Sequence, residues 1–143
     1  MRIIGIDPGS MVTGYGIVEQ VNLRLCHVAS GRVVSPPRML FHDRLKRIYQ
    51  ELEEVITSYK PEAMAVEDLF VSRNIKSALK LGHARGAAML AGLNADLAIA
   101  EYTPSEVKRR WSDTAEPTRS KYSKWFAPYS VSLNCPSPTQ QTL

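Results

Sequence analysis

Residues 2 to 7 form an apolar run that stops at Asp7, and residues 13 to 20 alternate well enough to predict a second strand after the turn Asp7-Pro8-Gly9-Ser10. Asn22 separates it from a third strand expected to run through about Ser30. Connections this tight predict an antiparallel meander. From Met39 to Tyr59 the apolar residues Leu40, Phe41, Leu45, Ile48, Leu52, Val55 and Ile56 recur at intervals of three and four, the signature of a helix with one buried stripe. Pro61 ends that segment, and Ala63 to Glu67 reads as a buried strand.

A second helix is expected over about Asn74 to Leu93, packing through Ala78, Leu81, Ala84, Ala88 and Met89. Its small residues, among them Gly82, Gly86, Ala87, Ala91 and Gly92, permit close approach to a sheet or another helix. Leu97 to Glu101 reads as a short strand. Thr103, Pro104 and Glu106 then supply a cap, a first-turn proline and a capping-box acid for a further helix. Strands followed by alternating strand and helix predict an α/β layer with an antiparallel edge.

The pattern fails after about Lys108. Trp111 to Leu143 has no sustained period of two or 3.6, contains Pro117, Pro128, Pro136 and Pro138, and is rich in Ser and Thr. The expected division is therefore an ordered core over 1–107 and a divergent, poorly ordered tail over 108–143. Beyond Glu116 the last 27 residues hold no Asp or Glu.

The 143 residues suffice for one ordinary domain, and two cysteines, Cys26 and Cys135, do not make a disulfide framework. No run of eighteen apolar residues exists and the N-terminus enters a strand directly, so a cytoplasmic protein without membrane span or signal peptide is expected. The formal charge is +4, and its placement matters more than its size. Arg38, Arg44, Lys46, Arg47, then Arg73, Lys76, Lys80 and Arg85 fall in or beside helical stretches, with Lys108, Arg109 and Arg110 further on. Such residues either solvate helix faces or hold a polyanion.

Candidate chemistry rests on an acid at the end of each of two predicted strands, Asp7 and Glu67. Asp7 alone could serve only the turn, but a second strand-end acid makes a divalent cation site the sharper reading. Asp68 alternates to the other face and is the weaker ligand candidate. The stretch from Gly9 to Gly16 offers backbone amides and small hydroxyls beside Asp7 without the glycine order or Gly-Lys ending of a nucleotide phosphate loop. It could accommodate a backbone phosphate. Phe70 is either core or, if exposed beside the site, an aromatic able to stack on an unpaired base. His27, His42 and His83 show no metal-ligand spacing; His83 stands out only for its place near Lys80 and Arg85.

Taken together, Gly5-Ile6-Asp7-Pro8-Gly9-Ser10 with Thr13-Gly14-Tyr15-Gly16, Ala65-Val66-Glu67 with Phe70, Ser77 to Gly86, and Glu101 to Lys108 closely resemble the RuvC family of Holliday junction resolvases over roughly the first 110 residues. The resemblance implies a ribonuclease-H-like mixed sheet flanked by helices, a homodimer, and Mg²⁺-dependent paired nicking of four-way junction DNA in recombination and repair. It implies that Asp7 and Glu67 are catalytic metal ligands and that Phe70 disturbs base pairing. Arg73, Lys76, Lys80 and Arg85 on or near the basic helix would grip phosphates, and a branch-migration motor complex is a further implied partner. The family's site also needs a C-terminal Asp-Ala-Ala-Asp-Ala-Leu segment, whereas this chain ends Pro138-Thr139-Gln140-Gln141-Thr142-Leu143. The final catalytic helix is thus expected to be missing or altered.

The genetic code offers a reason. Codons that fit Pro138 to Leu143 encode Asp-Ala-Ala-Asp-Ala when read from the third base of the proline codon. The same shift turns Arg110 to Pro117 into Val-Val-Gly-Tyr-Gly-Arg-Ala and permits Leu-Glu-Leu-Pro-Glu-Pro over Leu133 to Pro138. Three agreements in one frame favour a frameshift near Lys108 to Arg110. The competing classes are a catalytically defective junction-binding or nonfunctional truncated protein and, more weakly, an ATP-binding relative of the actin and sugar-kinase group, which leaves the middle segment without a role.

Overall fold

A computed structural model describes residues 1–22, 24–68, 74–103 and 131–132. Three antiparallel strands open the chain: β1 (Arg2–Asp7), β2 (Val12–Val21) and β3 (Arg24–Val34). Helix α1 (Phe41–Tyr59) crosses over to β4 (Ala63–Glu67), and α2 (Ile75–Asn94) crosses over to β5 (Ala98–Tyr102). A short strand, β6 (Val131–Ser132), runs parallel to β3. The sheet order is β5-β4-β1-β2-β3-β6, with β4 parallel to both β1 and β5. A meander joined to a parallel pair, with α1 and α2 on one face, is the ribonuclease-H-like mixed sheet that the sequence led one to expect. Apart from Val131 and Ser132, the expected tail lies outside the described residues, as does the predicted cap at Pro104 and Glu106. Among the described residues no helix is long and apolar enough to cross a membrane.

The core lies between the sheet and the two helices. Ile4, Ile6, Ile17, Met64 and Val66 from the strands meet Ile48, Leu52 and Ile56 of α1 and Ala84, Ala88 and Ala91 of α2. Small residues let α2 lie close to the sheet: a Cβ on Gly92 would sit 2.8 Å from the Met64 thioether sulfur and 3.1 Å from Ile99. Asn74 caps α2 by accepting hydrogen bonds from the Lys76 and Ser77 amides at 3.0 and 3.3 Å. Lys60 ends α1 in the left-handed region, its amide donating to the Ile56 carbonyl, and Pro61 prevents continuation.

Two boundaries differ from the expectation. β3 continues past Ser30 to Val34, because Gly31 is not a turn residue: it pairs with Tyr15, and a Cβ there would fall 2.5 Å from the Tyr15 hydroxyl. Leu40 precedes α1 as an extended N-cap and is exposed, so the buried stripe begins later than the apolar spacing suggests.

The β1–β2 turn is built around one buried hydroxyl. Thr13 Oγ1 donates to the Gly9 carbonyl at 2.8 Å and accepts from the Gly9 amide at 3.3 Å, and Thr13 is fully buried. A Cβ on Gly9 would lie 2.2 Å from the Val12 carbonyl oxygen, so the chain can fold back this tightly only without a side chain there. Replacing Thr13 with Val keeps the shape but strands both Gly9 groups. We expect Thr13→Val to lower stability by about 1–3 kcal/mol in urea unfolding; an unchanged midpoint would show that the hydroxyl is not what secures the turn beneath Asp7.

Candidate functional site

Parallel pairing of β1 with β4 sets Ile6 beside Val66, and both are fully buried toward the helices. Side chains alternate along a strand, so the next residues, Asp7 and Glu67, leave the sheet together on the opposite face. Neighbouring strands stand about 4.8 Å apart, which makes the two acids immediate neighbours at the ends of two central strands. Asp7 is exposed and Glu67 half-buried.

The residues around them on that face are small. Gly14 pairs with Asp7 and Gly16 with Gly5 across β2, while Gly5, Ala65 and Ala100 stand in one row across β1, β4 and β5. On the β1–β2 side, a bulky polyanion or chain segment can therefore approach Asp7 over glycines. Two hard carboxylates suit Mg²⁺, which usually keeps several waters and takes only one or two protein carboxylates beside substrate phosphates. Among the described residues no group of three or more His, Cys, Asp or Glu is placed to hold a metal ion.

Tyr102 completes the same row, in register with Glu67 on β5, and is 41% exposed. Periodicity could have placed it there, since it follows the acid Glu101 at a strand end; no composition signal marked it.

The helix-facing side carries a second group of charges. Asp68 and Glu101 alternate to that side, where Arg85 of α2 meets them. The Arg85 guanidinium bonds the Glu101 carboxylate, stands 3.7 Å from the Asp68 carboxylate, and donates from Nε to the Glu67 carbonyl at 3.2 Å. Its side chain is only 16% exposed. The Asp68 amide in turn donates to the Tyr102 carbonyl at 2.7 Å, extending the β4–β5 pairing by one bond.

The basic positions therefore divide. Lys76 and Lys80 are exposed one turn apart on α2, the Lys80 ammonium 5.8 Å from the centre of the Phe41 ring. His83 meets the same ring edge-on at 5.8 Å, and its Nδ1 is 2.6 Å from the Leu79 carbonyl. Arg85, five residues after Lys80, has turned by about 140° to the sheet side, where carboxylates occupy it. Phe70 and Arg73, also expected at the site, lie outside the described residues.

Known proteins give this arrangement a family. A profile described as "Crossover junction endodeoxyribonuclease RuvC" matches residues 3–123. The RuvC protein of Syntrophotalea carbinolica is 55% identical over 109 residues, covering 76% of this chain and 68% of the relative. That of Geotalea uraniireducens is 43% identical over 141 residues, covering 99% of this chain and 81% of its own. Among solved structures, Thermus thermophilus RuvC in complex with a Holliday junction substrate superposes with a TM-score of 0.72 at 32% identity, covering 80% of this chain and 71% of that one. With a family profile matched over more than half of its length and a relative 55% identical, the chain belongs to the RuvC family.

Proposed function

We propose that this chain binds four-way junction DNA as a RuvC-family dimer but is defective in cleaving it as the sequence stands. The observation that carries the reading is the donor count: Asp7 and Glu67 supply two carboxylates, enough for one ion but too few for a pair of metal ions, and residues 117–143 hold no acid. Asp7 and Glu67 would hold a Mg²⁺ ion, which when bound activates water and stabilises charge at a scissile phosphate. Thr139 and Thr142, where the family motif has aspartates, are neutral hydroxyls and poor replacements in an all-oxygen site. A complete site would make the chain a structure-selective endodeoxyribonuclease.

A frameshift near Lys108 to Arg110 is the explanation we favour. Identity to relatives is 51 to 56% where matches stop after 108 or 109 residues and 43 or 41% where they extend over 141. Dilution of this kind suits a tail that aligns with little shared sequence, and it accompanies the loss of acids and periodicity.

For DNA contact, Lys76 and Lys80 are the exposed pair on α2, adjoining Phe70 and Arg73 in the chain, whose roles come from family likeness. For dimerisation, the outer face of α2 carries Ile75, Leu79, Leu90 and Leu93, exposed by 75, 58, 50 and 53%. With Gly82 and Gly86 between them, these residues fall at intervals of three and four along one helical stripe, and a Cβ on Gly86 would meet nothing within 4 Å. Such a stripe suits a second copy of the same helix.

Three outcomes are expected. The 143-residue chain should shift a four-way junction in a gel yet leave it uncut in Mg²⁺, while the protein restored to the alternative frame should nick it; cutting by the unmodified chain at the restored protein's rate would refute the defect. Lys76→Ala with Lys80→Ala should weaken junction binding and flatten its salt dependence by roughly two units of log K against log salt for each protomer in contact, up to about four for the dimer, whereas an unchanged slope would remove these lysines from the contact. Leu79→Glu with Leu93→Glu should convert a dimer to a folded monomer in analytical ultracentrifugation. An unaltered mass would place the dimer interface elsewhere.

A further inference from the structure

Family likeness puts Arg85 among the DNA contacts, yet its guanidinium is engaged inward by carboxylates of the chain itself. It touches three groups at the ends of two adjacent strands: the Glu67 carbonyl, the Asp68 carboxylate and the Glu101 carboxylate. All three lie within one residue of the proposed cation site. Asp68 and Glu101 are about half-exposed, at 47 and 50%, so solvent and ions can reach both.

The register gives the contact its significance. Glu101 stands beside Val66 and Tyr102 beside Glu67, so the sheet separates Asp7 and Glu67 on one face from Asp68 and Glu101 on the other. Without a cation between them, Asp68 and Glu101 would form a second carboxylate pair of the same chemical type, one residue removed from the first. Like charges this close repel, and a divalent ion would relieve them as readily as a guanidinium does. Arg85 is a fixed internal counter-ion that needs no supply from solution. Its bond to the Glu67 carbonyl also pins the peptide that aims the Glu67 side chain.

We infer that Arg85 is a positioning residue for divalent-cation binding: by occupying Asp68 and Glu101 and fixing the Glu67 backbone, it confines the cation to the Asp7–Glu67 face. This rests on the reading of Asp7 and Glu67 as the metal pair. It assigns Asp68 and Glu101 the role of anchors rather than ligands, and it makes Arg85 a determinant of where a cation binds.

Mn²⁺ titration of the full chain, followed by electron paramagnetic resonance, tests the inference without any need for activity. The parent chain should bind about one ion, lost in Asp7→Asn. Arg85→Gln should gain about one further ion per chain, retained in Arg85→Gln with Asp7→Asn and lost in Arg85→Gln with Glu101→Gln. Arg85→Gln with the parent's stoichiometry would overturn the inference. Should Arg85→Gln be unfolded by circular dichroism, recovery of its fold by the added Glu101→Gln supports charge neutralisation, and failure of that double variant to fold overturns it in favour of a packing role alone. A parent chain that binds no Mn²⁺ through Asp7 would sink the metal-pair reading instead, while the Glu101-dependent gain in Arg85→Gln is still read separately.

Discussion

Parallel pairing of β1 with β4 is the constraint on which the site depends. The two strands have no turn in common; α1 must cross the sheet before β4 can lie down beside β1. Once Ile6 and Val66 meet in the core, alternation leaves the next residue of each strand no choice of face. A slip of one residue in β4 would send Glu67 into the apolar layer and bring Val66 out to solvent, a change that core burial strongly opposes. The hydrophobic contact thus fixes the position of the charges.

The same alternation explains why acids crowded in sequence do not crowd in space. Glu67 and Asp68 are adjacent residues with different surroundings: one faces a floor of glycine and alanine, the other a guanidinium. Glu101 and Tyr102 repeat the division one strand further out. α2 serves both sides of this arrangement. Its alanines press on the sheet, its arginine collects the inward acids, and its lysines remain in solvent.

Much of this was legible in the residues themselves. An acid closing an apolar run is a strong local signal, which is why Asp7 and Glu67 could be named, and the second helix is placed from about Asn74 although its capping bonds are seen only in the structure. Legibility fell where a residue acts on something distant in sequence. Gly31 resembles a turn because its partner, the Tyr15 ring, comes from another strand. Leu40 matches the helical spacing but stands before the first turn, where it is largely exposed. Arg85 belongs by composition to a basic helix, and only the placement of β4 and β5 beneath it reveals that its charge is already spent.

The separation of the acid pair along the chain also bears on how the protein reaches its native state. β1, β2 and β3 can zip together through local turns, but Asp7 and Glu67 belong to strands joined only through the whole meander and α1. Closing so long a loop is slow relative to forming a hairpin, and its entropy must be spent before β4 gains its contacts. A nascent chain that has made only the meander presents Asp7 as a solitary carboxylate with little hold on a cation. Any cation held between the two acids would therefore bind late, as a property of the docked β4, and would stabilise only chains in which the long-range half of the sheet is already in place.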